Sequence, residues 1–168
     1  MGKLNNTKEA QLEQNLIDLL CAQHGQWTFR SDLKTEEDLW NNLRNIIEIR
    51  NKSELNDNML TDSEFERIRS EILANTKTPF EAAKWLRGEK GKCSVVLERD
   101  NGLGRIELII YSSIEKNGGF SSYEIVHQIA KNKSNLEERS RRFDITLLIG
   151  GLPIIQIELK TAIAKDGV

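Results

Sequence analysis

Two apolar runs that meet at Gly150-Gly151 constrain this chain more than any other segment. Asp144-Ile145-Thr146-Leu147-Leu148-Ile149 and Leu152-Pro153-Ile154-Ile155-Gln156-Ile157-Glu158-Leu159-Lys160 read as two strands of a hairpin around a glycine pair. Each run carries ionisable groups that are costly to place among Ile and Leu without a purpose. Residues two apart on a strand point the same way, so Gln156, Glu158 and Lys160 share a face. The position of Asp144 relative to that face depends on the turn. A regular two-residue turn sets Asp144 opposite Ile157 and leaves Glu158 on the other face. Bringing both carboxylates to one face requires an odd-residue connection or a bulge. Pro153, which cannot donate to a ladder, stands where such an irregularity is tolerated.

At 168 residues the chain suits one domain over 1–168, large enough to bury a core. Lys and Arg total 24 against 26 Asp and Glu, so net charge offers no general attraction to nucleic acid. Any DNA contact must come from local clustering. Lys131, Lys133, Arg139, Arg141 and Arg142 form one such cluster just before Asp144, interrupted by Glu137 and Glu138. They are candidate phosphate contacts, with a solvated loop as the alternative. Cys21, Cys93, His24 and His127 lack metal-ligand spacing and are expected to be structural or surface residues. Trp27, Trp40 and Trp85 are expected in packing. No run is long and apolar enough for a membrane span, and the N-terminus lacks a signal-peptide core, so a cytoplasmic protein is expected.

The first part of the chain, about 1–90, patterns as helices. Asn6 or Thr7 can cap a helix with Leu12, Leu16, Ile17, Leu19 and Leu20 inward, ending near Gly25. Thr35 with Asp38 opens a second, bearing Leu39, Leu43, Ile46 and Ile47. Thr61-Asp62-Ser63-Glu64 is a capping box for a third, with Phe65, Ile68 and Ile72 inward. Thr78-Pro79 with Glu81 opens a fourth. From about 91 to 168 the pattern turns to period two, with strands expected at 94–98, 106–111 and 122–129 before the final hairpin. Helices followed by strands indicate an α/β (α+β-like) domain: a mixed central sheet with the N-terminal helices packed on it.

Arg142-Phe143-Asp144, Gly150-Gly151-Leu152-Pro153 and Ile157-Glu158-Leu159-Lys160, in that order and spacing, resemble the nuclease motif of the PD-(D/E)xK superfamily. More narrowly, they resemble the N-terminal domain of the R subunit of type I restriction enzymes. Gly150 stands where that family usually has Asn; both accept positive φ, so the change concerns the turn. Glu9 to Ile17 resembles the family's acidic first helix, and Asn117 to Gln128 the strand before its Asp. The resemblance implies a restriction-endonuclease-like core and cleavage of double-stranded DNA in a bacterial or archaeal cell. It also implies an N-terminal part of a longer subunit, ending before the family's helix with Gln and Tyr. ATP-driven translocation would lie in the part beyond, and the implied partners are methyltransferase and specificity subunits. There is no G-x-x-x-x-G-K-[ST] phosphate loop in these residues.

On that resemblance Asp144, Glu158 and Lys160 are the expected catalytic residues, with Asp144 and Glu158 holding Mg²⁺ through hard carboxylate oxygens. Lys160 orients or deprotonates the attacking water, or stabilises the charged transition state. Glu13 and Glu9, one turn apart on the first helix, are further acidic candidates for the metal or else a solvated face. Gln156 is a candidate accessory residue. The 168 residues alone are expected to be a weak nuclease with salt-sensitive, sequence-indifferent DNA binding. Two other readings stay open: a PD-(D/E)xK nuclease of repair or mobile-element origin, and a non-catalytic DNA-binding or scaffolding module that kept the fold.

Overall fold

A computed structural model describes residues 2–22, 26–113, 122–129 and 144–160. In chain order the elements are α1 (Gly2–Ala22), β1 (Thr28–Phe29), α2 (Glu36–Arg50), α3 (Lys52–Leu55), α4 (Asp62–Asn75), α5 (Pro79–Arg87), β2 (Lys92–Glu98), β3 (Arg105–Ser112), β4 (Tyr123–His127), β5 (Ile145–Ile149) and β6 (Leu152–Ile157). The α/β class follows directly from this order. The chain divides into two compact units, Met1–Trp40 with Ser122–Val168, and Asn41–Ser121.

The first unit holds a four-stranded sheet in the order β1-β4-β5-β6. It is mixed: β1 runs parallel to β4, and the other pairs are antiparallel. Covered on both faces, β5 is apolar nearly throughout, as a central strand must be. On one face Ile17 of α1 packs with Ile125, Ile145 and Leu147, joined by Leu16, Leu20, Trp27, Phe29, Ile157 and Leu159. On the other, Leu33 packs with Val126 and Leu148, joined by Leu39 and Ile129. The helical stripe expected for α1 is narrower than its sequence suggests: Ile17 is buried, while Leu12 and Leu19 are exposed. Thr35 and Asp38 form the expected box at the start of α2, Thr35 Oγ1 accepting from Asp38 N (3.1 Å) and Asp38 Oδ2 from Thr35 N (2.8 Å). The buried Glu124 carboxylate is neutralised by Arg30, which also pairs with Asp32 at 2.7 Å.

The second unit pairs β2 and β3 as a separate two-stranded antiparallel sheet, with α4 against β2. Sequence pattern alone put all strands into one sheet; period-two alternation reveals a strand but not its neighbours. The Thr61 capping box and the Thr78-Pro79 start both form, and Phe65, Ile68 and Ile72 point inward. Asn51, 1% exposed, acts as a piece of strand. Its Oδ1 accepts from Ile109 N (2.7 Å), and its Nδ2 donates to Ile109 O (3.0 Å) and Ile47 O (2.8 Å). Glu64, fully buried, accepts from Arg99 Nε (2.7 Å), Asp100 N (2.7 Å) and Thr61 N (2.8 Å). Burial pushes its pKa up, but the Arg99 hydrogen bond and charge and the two amides outweigh this and hold it below the ordinary value of 4.5.

Candidate active site

The geometry begins at the turn. Gly150 and Gly151 have φ of 60° and 80°, as a type I′ turn demands of both central residues, and that turn matches the natural twist of the strands. Ile149 pairs with Leu152 and Leu148 with Pro153, but Leu147 then pairs with Ile155, leaving Ile154 as an extra residue. This is the bulge that the hairpin needs. Beyond it the register runs Thr146↔Gln156 and Ile145↔Ile157, and the next step sets Asp144 opposite Glu158. Directly opposed residues on antiparallel strands hold their Cβ atoms about 4.5–5.5 Å apart. Burial agrees with the register. Ile157 and Leu159 join the cluster around Ile17, so Glu158 and Lys160 lie on the sheet face of Asp144 and Thr146.

Asp144 is held from both neighbouring strands. Its carbonyl accepts from Gln128 N at 3.1 Å, just past the end of β4. Its Oδ2 accepts from Leu159 N at 2.6 Å, which fixes the carboxylate; Oδ1 accepts no hydrogen bond from a described residue. Lys160 Nζ stands 3.6 Å from Glu158 Oε2, with side chains 84% and 54% exposed, so both are open to a ligand. Two opposed carboxylates with an uncommitted oxygen suit a hard divalent cation such as Mg²⁺. Among the described residues no set of three or more His, Cys, Asp or Glu converges. Gln156 is exposed beside Glu158.

A model of the family described as the N terminus of the type I restriction enzyme R protein matches residues 6–166. The chain belongs to that family. It is 33% identical over 130 residues to the type I restriction enzyme SsaAORF53P endonuclease subunit of Staphylococcus saprophyticus, covering 76% of this chain and 12% of that protein. It is 32% identical over 133 residues to the SauCOLORF180P endonuclease subunit of Staphylococcus aureus strain COL, covering 78% of this chain and 13% of the relative. The chain thus spans about an eighth of the length of these relatives.

Within this R-subunit N-terminal domain the first-helix glutamates differ. Glu13 is buried, one turn before Ile17, and its Oε2 accepts from Gln128 Nε2 at 2.9 Å; Glu9 is half-buried. Gln128 therefore touches both Glu13 and Asp144. Sequence reasoning passed over it because a polar residue at a strand end has no periodicity to mark it. Lys131, Lys133, Arg139, Arg141 and Arg142 lie outside the described residues, as does His24. His127 packs edge-on against Phe29 with centroids 5.2 Å apart, and Trp27 against Tyr123 at 5.3 Å. Burial pushes the Cys93 thiol up to about 12, which keeps it a thiol rather than a metal-binding thiolate. No helix among the described residues is long and apolar enough to cross a membrane.

Proposed function

We propose that this chain is the nuclease domain of a type I restriction R subunit and cleaves double-stranded DNA with Mg²⁺. In the assembled enzyme, cleavage would be coupled to ATP-driven translocation by the rest of the subunit, with methyltransferase and specificity subunits as partners. One observation carries the reading: the bulge at Ile154, which brings Glu158 into register with Asp144. A regular hairpin of the same length would set these carboxylates on opposite faces, so the irregularity supports the metal reading over that of a scaffold.

When bound, Mg²⁺ supplies Lewis-acid stabilisation of phosphate charge and lowers the pKa of a bound water. Asp144 and Glu158 would hold it, and the Leu159 amide keeps the Asp144 carboxylate from rotating away. Lys160, on the same face and largely exposed, is free to leave Glu158 and set its ammonium against the attacking water or the phosphate oxygens. Gln156 extends this face toward the DNA. Lys131, Lys133, Arg139, Arg141 and Arg142, just ahead of Asp144 in sequence, would contact the backbone phosphates.

In the assembled enzyme, Asp144→Asn and Lys160→Ala are each expected to abolish DNA cleavage while leaving ATP hydrolysis intact. In the 168-residue chain, Asp144→Asn is also expected to abolish Mn²⁺ binding measured by calorimetry. Normal cleavage by either variant refutes the assignment.

A further inference from the structure

The second unit divides its cations into two groups. Arg44, Lys52, Arg67, Arg69 and Arg99 each pair with a carboxylate. Lys77, Lys84, Arg87, Lys90 and Lys92 have no such partner among the described residues, and all five are exposed. They crowd into residues 77–92, where the carboxylates are Glu81 and Glu89, so this stretch is basic in a chain of net charge -2. α5 buries none of its residues. Ala82, Trp85 and Leu86 are half-buried, whereas Phe80, Lys84 and Arg87 follow helical spacing along one open face, with Phe80 78% exposed. Basic residues in a last turn complement the helix dipole, which accounts for Lys84 and Arg87 but not for the rest. Behind the helix, Glu89 and Lys92 exchange both backbone hydrogen bonds, each at 3.1 Å. Between them Lys90 and Gly91 have φ of 54° and 76°. Positive φ at both central positions marks a type I′ turn, which favours Asn or Gly. A lysine there costs backbone strain, and such strain concentrates at functional sites. The turn is held in place by Ser113 N, which donates to Gly91 O at 2.9 Å.

We infer that the open face of α5 and the turn behind it form a contact for the phosphate backbone of duplex DNA, centred on Lys84, Arg87 and Lys90. This rests on the DNA-nuclease reading above and adds to it a binding surface in the second unit, distinct in sequence from the cluster at 131–142. A cation already paired with a carboxylate must give up that pair to take a phosphate; these need not. The nine residues of α5 rise about 14 Å, and a duplex carries one negative charge per about 1.7 Å of its axis, so the face spans several phosphates. Lysine and arginine on phosphates position a duplex without reading its bases.

The test is binding of a fluorescein-labelled duplex of arbitrary sequence to the full 168-residue chain, by anisotropy from about 50 to about 200 mM salt. The combined variant Lys84→Gln, Arg87→Gln, Lys90→Asn removes three charges and gives the turn a residue suited to positive φ. It is expected to flatten the slope of log affinity against log salt by about three, near one per phosphate contact. At the low-salt end it should weaken binding by about tenfold or more. Its melting temperature should equal or exceed that of the wild type, which separates the loss from a damaged fold. A control variant, Lys34→Gln, Lys52→Gln, Arg105→Gln, removes the same charge from exposed positions elsewhere and should keep the slope. An unchanged slope in the α5 variant, an equal fall in the control, or no duplex binding by the wild type would overturn the inference. So would loss of poly-glutamate binding in the α5 variant with duplex binding intact, since that marks a face for an acidic protein. Asp144→Asn in the assembled enzyme keeps the two claims apart. Normal cleavage by that variant refutes the nuclease reading, whereas a wild-type slope in the α5 variant refutes only this surface.

Discussion

Removing Ile154 should leave the site intact, whereas adding one residue beyond it should destroy it. The pairs on either side of Ile154 are Leu148↔Pro153 and Leu147↔Ile155, so deleting it turns the hairpin into a regular one with Asp144 still opposite Glu158. Ile154 is 40% exposed, and its loss is offset by a more regular ladder, so the expected stability change is within about 1 kcal/mol. Inserting one Ala between Gln156 and Ile157 instead reverses the face of every later residue. Ile157 and Leu159, half-buried against the Ile17 cluster, then leave it at about 1 kcal/mol each. The Leu159 N–H to Asp144 hydrogen bond adds about 1 kcal/mol. The sum is about 3 kcal/mol, or a fall of about 6–12 °C in melting temperature for a chain of this size. Glu158 meanwhile turns toward the apolar α1 side. Thermal unfolding and Mn²⁺ calorimetry read both effects. The reasoning is refuted if the shortened hairpin loses Mn²⁺ binding or the lengthened one keeps it.

The second unit offers two stability tests. Arg99→Met removes the cation from fully buried Glu64, and because the Thr61 and Asp100 amides still donate, the cost should fall at the low end of the buried-pair range, about 3 kcal/mol, read by urea unfolding at neutral pH; a loss below about 1 kcal/mol contradicts it. Glu64 titrates below 4.5 in the folded chain, so its contribution is present above that value and lost as pH falls through the depressed folded value. Acid unfolding should therefore be shallower in Arg99→Met than in the wild type. Asn51→Ala strips Ile109 of partners for both its N–H and C=O and should cost about 2–3 kcal/mol, with faster amide exchange at Ile109 as the local signature.

Three helix starts were legible in the sequence because capping is a short-range contract between residues three apart, whereas the cap expected at Asn6 or Thr7 does not form, since α1 already begins at Gly2. Thr35 with Asp38, Thr61 with Glu64 and Thr78 with Glu81 all form as their spacing requires. The hairpin was legible for a different reason: parity is arithmetic, and the conflict between a two-residue turn and two same-face carboxylates already demanded the irregularity found at Ile154. Long-range assembly was less accessible. β1 has only Thr28 and Phe29, too short for any periodicity, and its parallel partner β4 lies far along the chain. The four-residue α3 is too brief to show a stripe. That β2 and β3 form their own sheet depends on hydrogen bonds no local pattern encodes. The contacts of Gln128 with Glu13 and Asp144 depend on long-range packing around Ile17, which no local pattern encodes.

The two carboxylates flank strands of very different standing, Asp144 immediately before β5 and Glu158 immediately after β6. β5 has a neighbour on each side and is buried nearly throughout, whereas β6 is at the edge among the described strands, with Pro153 to Gln156 exposed. Opening free energies follow such differences, from near zero at edges to the global value in the centre. Amides of Ile145 to Ile149 should therefore exchange with solvent only on global unfolding, and those of Gln156 to Lys160 by local fraying. Half of the site is thus an anvil and half a hinge: the aspartate waits in place, while the glutamate and lysine arrive with an edge that can still breathe. Capture of a cation or a DNA backbone would then register as slowed exchange on β6 alone, with β5 unchanged.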